Sequence, residues 1–265
     1  MDSLFTVNKE AFKCGLGSGC VQVTSFLWLK TLNNYQYKHG YNTIQAFKLL
    51  YNDGKILRFY RGYIPAIITA STCKIGDLTG YYFVNNNSNQ HLNNLEKNTI
   101  IASVSSLTRF IIMPVDTLDT FLQIEGKRGF LLLRTKIKTH GIPVLYYGCT
   151  MWLSTNFISS FCWFGTYDIL NTYFKNNSNT VVQNGCNGFL ATMISDTITN
   201  PLRSVKIYKQ SHHTNISYTQ SFKLMVQEKG LLNGLTRGLF TRIITHGIQG
   251  SVFVIIWKKI ETIWC

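Results

Sequence analysis

The chain has 265 residues, with 26 Lys and Arg against 12 Asp and Glu, and a formal net charge of +14. Charged residues make up 14%, where a soluble domain carries about 25%, and aromatic residues make up another 14%. A chain so rich in aromatics and so poor in charge is not disordered. Seven cysteines without framework spacing argue against a disulfide scaffold.

The first ten residues, MDSLFTVNKE, hold two acids, one Lys and no Arg. They resemble neither an Arg-rich transit peptide nor a basic and apolar secretory signal, so any membrane address is expected within the mature chain. A first apolar helix is expected near 11–36, where Gly15, Gly17 and Gly19 would permit close helix contact in lipid. An amphipathic linker, TIQAFKLLYN, follows; in it Ile44, Phe47 and Leu50 or Tyr51 share one helical face. A second apolar stretch runs near 63–85, and an Asn-rich run at 85–98 reads as a polar connector. Beyond it, helices are expected near 97–124 and 149–174. Residues 141–167 form a run of 27 without a charged side chain, longer than the roughly 20 that a bilayer span needs. A second connector at 175–187 leads to expected helices near 183–210 and 239–263. Most of these stretches are diluted by Ser, Thr, Asn and Gly. Polar residues inside spans face a bundle interior or a watery cavity, which favours a polytopic α-bundle over a soluble domain with buried helices.

The stretches repeat. PVDTLDTFLQ begins at Pro114 and PLRSVKIYKQ at Pro201, a spacing of 201 − 114 = 87, and each has a Gln nine positions on, at Gln123 and Gln210. A similar step back reaches SFLWLKTLNN at Ser25, where Pro has become Ser. A second landmark ends at Gly62, Gly148 and Gly238, with spacings of 86 and 90. Two landmarks with one period indicate three repeats, 1–92, 93–178 and 179–265, each with two long helices around a short linker.

With PVDTLDTFLQ, DGKILRFYRGYIP and FGTYD in view, the chain resembles the mitochondrial carrier family over all three repeats. The resemblance implies an all-α membrane protein, with six transmembrane helices in three pseudo-symmetric repeats and short matrix-side amphipathic helices. It further implies a multi-pass protein of the mitochondrial inner membrane with no cleavable presequence. Such a protein would move a small hydrophilic metabolite by alternating access, as a monomer among membrane lipids that include cardiolipin.

By the same resemblance, an acid and a base in each Pro segment form the salt bridges of a matrix gate, the acid of one repeat meeting the base of the preceding one. The acidic positions hold Leu27, Asp116 and Arg203, and the basic positions hold Lys30, Asp119 and Lys206. The expected pairs are therefore Asp116–Lys30 and a reversed Arg203–Asp119, with Leu27 facing Lys206; Gln123 and Gln210 brace this gate. The family's cytoplasmic gate is matched only in part, by Tyr167 and Asp168 and by a reversed Lys258 and Glu261, with an interfacial aromatic belt as the other reading.

The family's central contact points fall seven and eight residues after the landmark Gly. Here they are Thr69, Thr155 with Asn156, and Thr245 with His246. Their side chains suggest hydrogen bonding to a solute rather than charge capture, unless the Thr hydroxyls merely bond the carbonyl one turn back. Arg109 and Asp196 each lie five residues before their Pro and are expected at one depth in the cavity, either as solute contacts or as a structural pair. Lys74 and Asp77 are expected to join them. No metal spacing, phosphate-binding Gly loop or nucleophile–base set appears, so neither cofactor, metal nor enzyme activity is expected. The basic residues are spread along loops rather than gathered on one face, so no nucleic acid is expected. The other reading of the whole chain is a carrier-derived membrane adaptor that no longer transports.

Overall fold

The computed structural model describes residues 2–87, 94–174, 180–212 and 214–249, and among them all regular structure is helical. The first third holds α1 (Asp2–His39), α2 (Thr43–Asn52), α3 (Lys55–Phe59) and α4 (Tyr63–Asn87). The second holds α5 (Asn94–Glu125), a 3₁₀ turn (Gly126–Arg128), α6 (Gly129–His140), a 3₁₀ turn (Ile142–Tyr146) and α7 (Cys149–Tyr173). The last holds α8 (Thr180–Ser211), α9 (Tyr218–Lys229), α10 (Leu231–Leu235) and α11, which is helical over 239–249 up to the end of the described residues. Long helix, short linker helices and second long helix recur three times. The leading helices overrun the expected apolar stretches, because polar residues without a breaker continue a helix. Gly40 and Gly126, at φ of 66° and 63°, end α1 and α5 in the left-handed conformation common after a helix.

The turn into each second long helix is made by a glycine. Gly62, Gly148 and Gly238 have φ of 87°, 90° and 65°, which side chains tolerate poorly. Each also lies against the leading helix of the next third. A Cβ on Gly62 would sit 3.0 Å from Asp119 Oδ1, one on Gly148 would sit 3.0 Å from Lys206 Cγ, and one on Gly238 would meet Asn33. The three thirds therefore pack cyclically.

The long helices close a ring. α1 packs on α4, α4 on α5, α5 on α7 and α7 on α8. α11 lies between α8 and α1: Gly247 backs onto Phe189, and Gln249 accepts a hydrogen bond of 2.9 Å from Gln22. Gly15 and Gly19 bring α1 against the backbone of Ile75 and Ser71 on α4, whereas nothing approaches Gly17. Pro114 and Pro201 sit inside α5 and α8, each removing one backbone donor. By length and composition, one helical stretch among the described residues, Glu96–His140, is apolar enough to cross a membrane. Large apolar side chains such as Ile64, Leu107 and Ile111 are exposed on α4 and α5.

The linkers cap the long helices. Arg58 donates 2.9 and 2.7 Å hydrogen bonds to the carbonyls of Gln123 and Ile124 at the end of α5. Lys136 does the same for Gln210 and His212 after α8, at 3.2 and 2.6 Å. Arg237 lies against Gly40 at the end of α1. Arg58 and Lys136 satisfy orphan carbonyls and oppose the negative ends of their helix dipoles, whereas Arg237 bonds Met225 O and Glu228 within its own linker. The expected face of α2 holds at Leu50 and is corrected at its other positions. Ala46 and Leu50 are its buried residues, while Ile44, Phe47 and Tyr51 are exposed. Phe47 stacks along the surface with Phe59 and Tyr51 instead, at centroid distances of 5.1 and 6.2 Å, because the small Ala46 lets α2 lie close to the bundle.

Glu228 on α9 ties this linker layer together, accepting 2.6 Å from Tyr208 and 2.9 Å from Arg237. Burial raises its carboxyl, but the Tyr208 hydroxyl and the Arg237 guanidinium outweigh that and hold it below the usual range. A carboxyl depressed in the folded state contributes stability that is present above its unfolded value near 4.3 and lost as pH falls through the folded value. Glu228→Gln is therefore expected to lower stability by about 1 kcal/mol at neutral pH, the upper end for a half-exposed pair. Thermal unfolding of the purified protein should show the gap closing below about pH 4. A gap that persists in acid would mean the charge plays no part.

Candidate functional site

The ring encloses a cavity of about 430 Å³. One end of it lies level with Pro114 and Pro201 and is crossed by ion pairs. Lys30 on α1 donates 2.6 Å to Asp119 on α5, and Lys206 on α8 donates 2.6 Å to Asp116, also on α5. Asp119 is fully buried, and Lys206 lies 4.2 Å from the ring centroid of Trp152. Behind the pairs is a layer of amides. Asn34 donates 2.6 Å to Gln123, which in turn donates to Asp119, and Gln210 donates 2.8 Å to the hydroxyl of Thr117.

These pairs correct the expected ones. Asp116 meets Lys206 rather than Lys30, and Asp119 meets Lys30 rather than Arg203, while Leu27, which leaves the third pair without an acid, is buried among Val23 and Ala66. The reason is the missing acid. With Leu27 in place of a carboxylate, Lys206 needs another counter-charge in a site of low dielectric, and Asp116 is within reach. Lys30 then takes Asp119. No ion pair joins α1 to α8 at this level among the described residues; Tyr37 donates 2.8 Å to Asn200 there instead.

Arg203 turns up into the cavity. It lies 3.8 Å from Asp196 and donates 3.1 Å to Ser159 on α7. Asp196 accepts 2.8 Å from Arg242 on α11, and its second oxygen lies 3.5 Å from His246 and makes no hydrogen bond. Arg109 is bound to Asp77 at 3.0 Å, so the alternative of a structural Arg109–Asp196 pair is corrected. Each group finds its counter-charge on the adjacent helix of the ring, α4 for Arg109 and α11 for Asp196, and they face the cavity separately.

Thr69, Lys74, Asp77, Arg109, Thr155, Asn156, Asp196, Thr245 and His246 all line this one cavity. Two hydroxyls follow the local alternative: Thr155 donates to Met151 O at 2.5 Å and Thr245 to Thr241 O at 2.6 Å, each one turn back. The hydroxyl of Thr69 is buried without a partner, and Asn156 donates 3.3 Å to Ser106. At the other end, Asp168 accepts 3.3 Å from Asn98, and Tyr167 stacks on Trp163 with centroids 5.2 Å apart. Lys258 and Glu261 lie outside the described residues. Among the described residues no group of three His, Cys, Asp or Glu side chains could hold a metal ion.

Sequence reasoning missed Arg242 and Ser159. Arg242 stands one helical turn after Gly238, the only cation within an otherwise uncharged 239–249 segment, and that isolation is the signal it offered. Ser159 offered none, since a serine in a polar-diluted helix is unremarked until Arg203 reaches it.

A family model described as "Mitochondrial carrier protein" matches residues 93–178 and 177–264. The chain is also 26% identical over 204 residues to the "Mitochondrial carrier-like protein L276" of Acanthamoeba polyphaga mimivirus, covering 77% of this chain and 78% of that one.

The observed pairing and the expected one differ in a measurable way. Asp119→Lys should place two cations together beside a buried position and destabilise by about 3–5 kcal/mol. The double variant Lys30→Asp, Asp119→Lys should recover most of that in thermal unfolding. The double variant Asp119→Arg, Arg203→Asp should not, because Arg203 serves Asp196 and Ser159. Recovery in the second double and not in the first would overturn the observed assignment.

Proposed function

Because the chain belongs to the mitochondrial carrier family, whose members transport metabolites across membranes, we propose that it moves a small hydrophilic metabolite across an organelle inner membrane by alternating access. The observation that carries this reading is the cavity itself. A chamber of about 430 Å³ lined by hydroxyls, amides and charges, inside a ring of long helices that expose Ile64, Leu107 and Ile111 outward, suits a polar solute within an apolar surround. Such a chamber stabilises no core. It is a place for water and solute.

In this reading the six long helices of repeats 1–92, 93–178 and 179–265 span the mitochondrial inner membrane, and the linker helices lie at its matrix face with Phe47 and Tyr51 toward the lipid headgroups, cardiolipin among them. Lys30–Asp119 and Lys206–Asp116 form the matrix gate, braced by Gln123 and Gln210. Tyr167 and Asp168, with Lys258 and Glu261, belong to the cytoplasmic gate. Thr69, Asn156 and the charges of α4, α5, α8 and α11 contact the solute. Opening the matrix gate separates both ion pairs, so their strength sets the balance between the inward-open and outward-open states, and 1.4 kcal/mol in that balance is a tenfold change in population.

The test is uptake into proteoliposomes of the purified full chain, over a broad panel of small metabolites. Saturable uptake of at least one solute is expected, abolished by Lys206→Met, which strands Asp116 and removes one gate pair. A folded protein that binds and transports nothing across the panel would overturn transport in favour of a membrane adaptor.

A further inference from the structure

A second hollow, of about 530 Å³, opens on the linker side and shares no lining residue with the central cavity. Its walls come from three places. The end of α1 and the turn after it supply Lys38, His39 and Tyr41, the end of α8 supplies Tyr208, and α9 supplies Glu228 and Lys229. The hollow therefore bridges α1 and α8 at the seam that no ion pair closes among the described residues. Tyr41, Glu228 and Lys229 are exposed, so it is reached from solvent.

Cations on these walls stand beside rings. Lys38 donates 3.0 Å to the carbonyl of Ser211, which leaves two ammonium donors, and neither it nor Lys229 forms an ion pair among the described residues. Glu228, the carboxylate of the hollow, is already engaged at both oxygens, by Tyr208 at 2.6 Å and Arg237 at 2.9 Å. Lys229 reaches the end of α1, where its stem and Arg237 both pack on Gly40: a Cβ there would lie 3.3 Å from Lys229 Cγ and 3.1 Å from Arg237 Nε. Arg237 Nε and Nη1 are themselves buried without a hydrogen-bond partner, so positive charge gathers around this one turn. Next to it the rings of Tyr35, His39 and Tyr41 stack, those of His39 and Tyr41 with centroids 5.9 Å apart and 25° between planes. Excess positive charge beside an accessible ring stack suits a ligand that is anionic at one end and planar and aromatic at the other. A bare anion leaves the rings unused, and a neutral ring leaves the lysines uncompensated.

We propose that this hollow is a regulatory site for a nucleoside phosphate, with the phosphate held by Lys38 and Lys229 and the base stacked on Tyr41 and His39. The phosphate joins a lysine of α1 to a lysine of α9, and α9 packs on α8. The bound ligand thus supplies at this seam the charged tie that Lys30–Asp119 and Lys206–Asp116 supply elsewhere in the ring. Its walls belong to elements that part when the seam opens, so the ligand binds the closed form better and shifts the population toward it. That consequence for transport rests on the transport reading above; the binding site itself does not.

The test uses the purified full chain and four probes, AMP, inorganic phosphate, adenosine and phosphatidylglycerol, with binding read by calorimetric titration. AMP should bind more tightly than phosphate or adenosine, by about tenfold or more in each case, since a stacked base and a charged hydrogen bond are each worth about that factor. Lys229→Gln and Tyr41→Leu, both at exposed positions, should each weaken AMP by about tenfold, whereas Arg203→Gln in the central cavity should leave it within about threefold. With AMP at about ten times its Kd, amide exchange over 33–40 and 200–211 should slow about tenfold. Phosphate binding as tightly as AMP, displacement of AMP by phosphatidylglycerol, absence of AMP binding, or AMP binding that survives both exposed variants would each overturn the site. The probe ranking and the exposed variants decide alone, should Arg203→Gln fold poorly. AMP binding without slowed exchange would overturn the tie across the seam. AMP binding with slowed exchange, in a chain that takes up nothing from the metabolite panel, would overturn transport and leave the site standing.

Discussion

α5 supplies both carboxylates that close one end of the cavity, and it shares them with two different helices. Asp119 holds Lys30 of α1 and Asp116 holds Lys206 of α8. Buried charge of this kind is stable only when paired, and removing one partner costs several kcal/mol because the other is stranded. The loss of a carboxylate at Leu27 therefore propagates. Lys206 draws Asp116, Asp116 leaves Lys30 to Asp119, and Arg203, with no acid remaining at its level, turns toward Asp196. Leu27, Asp119 and Arg203 together account for the arrangement.

The backbone couples this lock to the linkers. Gly62 lies against Asp119, and Gly148 lies against Lys206, so two of the three left-handed turns touch a residue of a buried ion pair. Each turn sets the angle at which a second long helix leaves its linker. Arg58 and Lys136 extend the same contacts by capping the end of the next leading helix. The third turn, at Gly238, packs on Asn33 and Tyr37, where the seam is closed by a neutral hydrogen bond to Asn200. That seam has the weakest lock of the three, since no charge separation opposes its opening.

Above the lock the cavity departs from the neutral lining that its central threonines suggest. Thr155 and Thr245 have their hydroxyl protons bound one turn back, and the charged groups facing the space are Arg109 with Asp77 and Arg203 and Arg242 with Asp196. Charged groups line two walls of the chamber, and hydroxyl and amide groups lie between them.

The sequence by itself marked the long helices and the recurring landmarks, because each rests on local or periodic signals. Apolar stretches mark a helix, and two landmarks with one spacing point to a repeat. It also placed Thr69, Thr155, Asn156, Thr245, His246, Arg109 and Asp196 on one cavity, since equal offsets from a landmark in equivalent helices set side chains at one depth, but it did not place Ser159, Arg203 or Arg242 there. The tertiary structure alone decided who pairs with whom. Lys30 has two carboxylates one turn apart on α5, and offsets along the chain do not say which is nearer in space. Asp196 found Arg242 rather than Arg109 for the same reason: an ion pair is set by the distance between side chains on different helices, and that distance exists only once the ring is closed.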